Sequence, residues 1–283
     1  MGSNSTVRRR RLGRELKQLR ADKGLTLEDV HKKTRIARNT VTAYESGHTA
    51  VREPYVKALL DLYEATEDVR EALLALAKGS GQRGWRHVYG EAIPPWFEVY
   101  VGLEEEATSI RTFDIDLVPG LLQTPDYYRA VIMATEPEPP PEEVDRKIAV
   151  RLTRQQRLTE PDAPALWAIV DEAALRREPG APETTTAQLQ HLIEMSSLPN
   201  VTLQILPFSS GLHPAMGSPF VILDFPDPVD PDVVYIENLT SSLYLESPDE
   251  VSRFTLFFDH LRAKAREPKS SRALIAQIAK ELT

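Results

Sequence analysis

Arg38, Asn39, Thr42 and Ala43 share one side of a short helical stretch whose other side carries Val41 and Tyr44. An Arg guanidinium can donate two hydrogen bonds to guanine, and an Asn carboxamide can donate to and accept from adenine, so these residue types suit the edges of base pairs. They work there only if a narrow rod carries them clear of the protein body and into a major groove about 12 Å wide. Thr40, His48 and Arg52 stand close to the same stretch and join the candidate DNA-contacting set.

Such a rod needs a frame. Leu12, Leu16 and Leu19 recur at helical spacing between Arg8 and Lys23, and Gly24 ends that run. Thr26 is a natural cap for a second helix, with Glu28 and Asp29 in its first turn, where the helix dipole favours acids. A break near Thr34-Arg35 separates it from a third helix over Arg38–Ser46, closed by Gly47. Val30, Ile36, Val41 and Tyr44 supply the inward positions that fix the angle between the two. Helices over Glu53–Tyr63, with Pro54 at its start, and Glu67–Lys78 complete a bundle of five, its core closed by Leu59, Leu62, Leu73 and Leu76.

The strings Leu12-Gly13-x-x-Leu16-x-x-Leu19-Arg20, Gly24-Leu25-Thr26-Leu27-Glu28-Asp29-Val30 and Ile36-Ala37-Arg38-Asn39-Thr40-Val41-Thr42-x-Tyr44-Glu45-x-Gly47 resemble the xenobiotic-response-element type of helix-turn-helix regulator, which includes the phage Cro and cI repressors. The resemblance covers about 65 residues. It implies a lambda-repressor-like domain, a recognition helix over Ala37–Ser46, and a phosphate contact at Thr26. Three positions depart from the family pattern. Arg35 stands where a turn Gly is usual, so a left-handed backbone there costs about 1 kcal/mol or the turn differs. His31 replaces a small Ala at the helix crossing, and Ala37 replaces a capping Ser or Thr. A packed or solvent-tipped histidine explains His31 better than a metal role, since spacing places no second ligand.

Residues 79–95 read as a linker. Gly79-Ser80-Gly81-Gln82-Arg83-Gly84 matches G-x-G-x-x-G letter for letter, but it follows a helix and opens none, so it lacks the context of a nucleotide loop. Beyond it, helices are expected over Trp96–Thr108, Thr124–Ala134, Pro141–Thr159, Asp249–Arg266 and Ser271–Leu282. Strands are expected over 165–170, 201–206, 220–223 and 233–236, with weaker ones over 109–117 and 242–246. The fold class is thus multidomain: an all-α, five-helix N-terminal domain (1–78), the linker, and an α+β domain (96–283) with a mixed sheet.

Tyr100-x-x-Leu103-Glu104-x-x-Ala107, Val118-Pro-Gly-Leu-Leu-Gln-Thr124 with Tyr128-x-Arg-Ala130, Arg151-x-x-Arg154-Gln-x-Arg157-Leu158 and Asn200-Val-Thr-Leu-Gln-Ile-Leu-Pro207 are similar to the C-terminal domain of a large group of actinobacterial, toxin-antitoxin-like regulators. That resemblance spans roughly residues 90–270 and implies a small protein partner encoded nearby, with no catalytic residues attached to it.

The 283 residues carry a net charge of −8, unevenly distributed. Residues 1–60 hold 14 Lys+Arg against 6 Asp+Glu, a surplus of +8, which leaves −16 on the rest. A basic front joined to an acidic remainder expects only the front to meet a polyanion. There is no cysteine, which removes disulfides, Cys-based metal sites and thiol nucleophiles and favours a reducing compartment. No run approaches 18 apolar residues. Met1-Gly2-Ser3-Asn4-Ser5-Thr6 fits a loose myristoylation pattern, but a disordered leader is the better account. A cytoplasmic protein without membrane contact is expected.

Asp114/Asp116, Asp171/Glu172 and the six histidines form no H-E-x-x-H, G-x-S-x-G or Walker arrangement, so neither an enzyme nor a cofactor or metal site is expected. Solvated turn acids account for the Asp pair, although i, i+2 carboxylates on a strand share a face. Trp96, Phe97, Tyr100, Tyr127, Tyr128 and Trp167 offer an effector pocket or, more simply, core packing. The expected function is a homodimeric regulator on palindromic double-stranded DNA whose second domain binds a partner or effector. An antitoxin-like protein that sequesters a small partner and autoregulates is one alternative, and a small-molecule-responsive regulator another.

Overall fold

Apolar side chains at helical spacing gather the front of the chain around one core. The computed structural model describes residues 4–47, 49, 51–77, 95–226, 232–239 and 241–282. The chain divides into two units, residues 1–99 and 100–283. The first contains α1 (Asn4–Asp22), α2 (Leu27–Thr34), α3 (Arg38–Glu45), α4 (Glu53–Leu62) and α5 (Glu67–Ala77). Leu12, Leu16, Val30, Ile36, Val41, Tyr44, Val51, Val56, Leu59, Leu60, Tyr63 and Leu73 form its buried core, with Leu19 and Leu62 packed against it. Full burial of each large aliphatic chain contributes about 1.5–3 kcal/mol. Gly24 and Gly47, at φ 62° and 70°, take the left-handed conformation that stops α1 and α3. The expected linker lies outside the described residues except for Pro95, which opens the next helix.

The second unit is built on a mixed six-stranded sheet. Its elements are α6 (Pro95–Glu106), β1 (Ser109–Asp114), α7 (Pro125–Thr135), α8 (Pro141–Gln156), β2 (Ala165–Asp171), α9 (Glu172–Arg176), α10 (Pro182–Met195), β3 (Val201–Leu206), β4 (Phe220–Asp224), β5 (Val233–Glu237), β6 (Ser242–Leu245), α11 (Pro248–Lys264) and α12 (Pro268–Glu281). The strand order is β3-β2-β1-β4-β5-β6. β1, β2 and β3 run parallel, with helices crossing over between them, and β4, β5 and β6 extend the sheet antiparallel. On one face Phe113, Ile169, Leu206, Phe220, Ile222 and Val234 pack against Phe258 and Leu261 of α11. Alternation along the strands sends Thr112, Asp114, Tyr235 and Glu237 to the other face, where the ring of Tyr100 from α6 lies 4.4 Å from that of Tyr235. The edge of β3 is closed by the joint between α11 and α12: Arg266 N donates to the Ile205 carbonyl at 2.9 Å, and Ser271 Oγ accepts from Ile205 N at 2.9 Å.

α10 has no counterpart among the expected elements. Its signal is present in Pro182 at the first turn and in the buried Thr185, Leu189 and Leu192 on one helical stripe.

Candidate nucleic-acid interface

α2 begins with a complete capping box. Thr26 Oγ1 accepts from Asp29 N at 3.2 Å, while Thr26 N and Oγ1 donate to Asp29 Oδ2 at 2.9 and 2.6 Å. These bonds hold the Asp29 carboxyl below its ordinary range, first through the Thr26 hydroxyl. The Thr26 hydroxyl proton is therefore engaged with a carboxylate in this arrangement. At the other end Arg35 adopts φ 64°, ψ 8°, and its N–H donates to the His31 carbonyl at 2.9 Å. Of the two outcomes open at this turn, the backbone is left-handed despite the Arg side chain. His31 Nδ1 lies 3.0 Å from the Ile36 carbonyl, so the ring at the crossing ties the turn back onto α2.

α3 starts at Ala37, which has extended backbone and no side-chain cap. Val41 and Tyr44 face the core, and Arg38, Asn39 and Thr42 are exposed, as the spacing predicts. Ala43 and Thr40 are only half-buried, and the Ala43 carbonyl accepts from Thr49 N at 3.2 Å. Thr42 Oγ1 donates to the Arg38 carbonyl at 3.1 Å. Arg38 lies 3.3 Å from Glu28 of α2, a solvent-exposed pair that holds the guanidinium beside the outer face and is weak enough for a phosphate or base to displace. Arg52, exposed, is the N-cap of α4. His48 lies outside the described residues. The exposed face of α3 thus brings Arg38, Asn39 and Thr42 together, with Thr26 and Arg52 on neighbouring elements.

Three residues that the contact set omits hold this helix in place. Arg20 of α1 donates from Nε and Nη2 to Glu45 at 2.7 and 2.9 Å and from Nη1 to the Leu25 carbonyl at 2.8 Å. The hydrogen bond to Glu45 raises the Arg20 pKa. Gly13 lets α1 approach the end of α3 so closely that a methyl group there would overlap the carbonyl oxygens of Tyr44 and Glu45. All three stand in the quoted strings, but spacing alone assigns them no partner.

The acids and aromatics of the second unit separate in the structure. Asp116 is exposed and pairs with Arg177 at 3.3 Å, in keeping with a solvated turn acid. Asp114 is not solvated in this way: it ends β1 half-buried, Thr112 Oγ1 donates to it at 2.5 Å, and burial pushes its pKa up to about 7. Asp171 caps α9, and buried Glu172 accepts from Arg176 at 2.7 Å and from Phe208 N at 3.1 Å. Tyr100 and Tyr127 are buried. Trp167 meets Phe258 edge-on at 6.2 Å on the opposite side of the sheet from Tyr100, so the aromatic set does not line one shared pocket.

The motif residues of this unit are largely internal ties. Arg154 donates to Glu104 at 2.7 and 2.8 Å. Gln155 Nε2 donates to the Gly120 and Gln123 carbonyls at 2.9 and 2.7 Å, and Gln188 of α10 donates to Leu122 O and accepts from Thr124 N, both at 2.7 Å. Asn200 Nδ2 bridges the Leu158 and Pro164 carbonyls at 3.1 Å each. These bonds satisfy a buried loop backbone that water does not reach.

Residues 11–73 match a helix-turn-helix domain, which puts the protein in the class of DNA-binding regulators. Residues 97–277 match the domain of unknown function DUF5753. The chain belongs to that family. No curated protein and no solved structure matches it. Among the described residues no helix is long and apolar enough to cross a membrane.

Proposed function

We propose that this protein is a cytoplasmic, sequence-specific transcriptional regulator that binds palindromic DNA as a homodimer, with the second unit taking a partner or effector. The observation that carries this is the exposed row Arg38, Asn39 and Thr42 on a helix anchored from behind by core residues and by Arg20–Glu45. Arg38 and Asn39 are the residues that read bases; Arg52 and Thr26 belong to the flanks, where contacts position a protein without reading sequence. A single module of this size buries too little surface for tight specific binding, hence two copies with half-sites about 10 bp apart or a multiple of that.

The acidic second unit keeps away from the phosphate backbone and supplies dimer contacts, with its charge complementary to a small basic protein partner. Protection footprints on the DNA upstream of its own gene test this. The expected pattern is two protected half-sites related by a dyad; uniform protection independent of sequence contradicts it.

A further inference from the structure

The second unit fixes the position of Arg151 without a carboxylate bonded directly to its guanidinium. Arg151 lies on α8, its guanidinium carbon 3.8 Å from the centre of the Tyr128 ring. Nη1 donates to Gln123 Oε1 at 3.0 Å, the guanidinium is also hydrogen-bonded to the Tyr128 hydroxyl, and among the described residues no carboxylate pairs with it directly. Gly120 makes room for it: a methyl group there would overlap Nη1. Gln123 is itself fixed by donating to the Val118 carbonyl at 2.7 Å, and Gln155 and Gln188 fix the loop that carries both. Tyr128, Gln123 and Gly120 together set where this guanidinium sits.

That position is unfavourable by itself. Burial lowers the Arg151 pKa, and the neighbouring Arg154 guanidinium pushes it the same way. Glu104, hydrogen-bonded to Arg154, and the carboxyls of Asp114 and Glu237 act on the Arg151 charge only from a distance, so this half-buried cation has no carboxylate bonded directly to it. Asp114 and Glu237, the acids on this face of the sheet, are both shifted upward, chiefly by burial, and so hold their protons more tightly than usual. Yet Arg151, Asp114 and Tyr128 each keep part of their surface open to solvent. Asp114 ends β1, beside the point where the sheet turns from parallel to antiparallel pairing, and the carboxyl ends of strands at such a switch are a common place for ligands.

We infer that Arg151, Tyr128 and Asp114 line a recess that binds the oxyanion group of a small metabolite, seated on the remaining N–H donors of Arg151 beside the loop 118–124. The planar fork of a guanidinium favours two-point contact with a carboxylate or phosphate, and its stacking on Tyr128 leaves the fork edge-on to an incoming group. This rests on the proposal that the second unit takes an effector and gives that effector a chemical class.

The test uses the full chain without DNA. Succinate, acetate and inorganic phosphate are titrated calorimetrically, and thermal unfolding is followed in their presence, for the wild type, Arg151→Met and Gly120→Ala. Gly120→Ala keeps the charge but displaces the guanidinium, and circular dichroism confirms that both variants fold. The expected result is saturable binding of at least one probe by the wild type, weakened at least tenfold in both variants. A response to succinate or acetate assigns a carboxylate, and a response to phosphate alone assigns a phosphate group. No saturable binding by the wild type overturns the inference, as does binding that survives in both variants. Since DNA is absent, failure here leaves the footprint result standing, and a missing footprint leaves this result standing.

Discussion

Arg20 and Glu45 are joined by two hydrogen bonds of 2.7 and 2.9 Å between the first helix and the last residue of α3. Both side chains are largely shielded from solvent, at 16% and 6% exposure, and the Tyr63 hydroxyl is buried nearby. The pair fixes the helix from its inner end while the outer face stays open. Removing one partner strands the other charge in a poorly solvated site, whereas replacing both by apolar residues removes the penalty with the bond. Arg20→Met or Glu45→Met alone is expected to lower stability by about 3 kcal/mol, and the two together to recover more than half of the summed loss. Urea denaturation of the two singles and the double measures the coupling. Additive losses would show that the bond contributes nothing beyond its separate side chains.

Gly13→Ala attacks the same junction by volume. The added methyl would overlap backbone carbonyl oxygens at Tyr44 and Glu45, which cannot rotate away as a side chain could. A loss of about 2 kcal/mol is expected, with weaker DNA binding because α3 must shift. Thermal unfolding checks the first and a mobility shift the second.

Two departures from the family pattern predict gains. Arg35 is held at φ 64°, so Arg35→Gly relieves strain of about 1 kcal/mol, partly offset by the freer unfolded chain. Ala37 leaves the first amides of α3 without a side-chain acceptor, and Ala37→Ser is expected to add about 1 kcal/mol. Both changes are far enough from the core to be read directly from the shift in the unfolding midpoint; a fall in stability for either would contradict the local geometry.

The helix-turn-helix was legible because its inward positions, Val30, Ile36, Val41 and Tyr44, follow one period and its ends carry Thr26, Gly24 and Gly47. The exposure of Arg38, Asn39 and Thr42 follows from the same period. Their contacts do not. Whether Thr26 donates to Asp29 or Arg38 lies beside Glu28 depends on rotamers that spacing leaves free. The sheet strands were legible from short β-branched runs, but their order was not, since β1 pairs with strands more than fifty and more than a hundred residues away. α10 was missed because Thr184, Thr185 and Thr186 interrupt helix propensity, and its packing against α12, with Leu189 and Leu192 buried, decides its fold. Asp114 was misjudged for a related reason: it alternates with the apolar Phe113 and Ile115 as a solvent-facing strand residue would, and its burial comes from elements distant in the chain.

Asp114 also gives stability a dependence on pH. Its folded pKa, about 7, lies above its ordinary value of 3.8, so the folded state binds the proton more tightly than the unfolded one. Its contribution is full below about pH 4 and is lost as pH rises to 7, amounting to at most about 4 kcal/mol. Asp114→Asn, which cannot ionise, is expected to be more stable than the wild type at pH 8, with the difference vanishing near pH 4. Urea midpoints at pH 4, 6 and 8 check this. A wild type that gains on the variant as pH rises would reverse the sign and contradict the burial of this carboxyl.

The most direct measurement is a fluorescence anisotropy titration of a footprinted operator and a scrambled duplex at one fixed salt concentration. Wild type, Arg38→Ala and Asn39→Ala are compared, with Lys57→Ala, an exposed lysine of α4 paired with Glu53, as control. The expected result is operator binding at least a hundredfold tighter than scrambled, a loss of about 1–3 kcal/mol for each α3 variant on the operator alone, and an unchanged control. Equal wild-type affinity for both duplexes, or operator affinity untouched by both α3 variants, would contradict base reading by this helix.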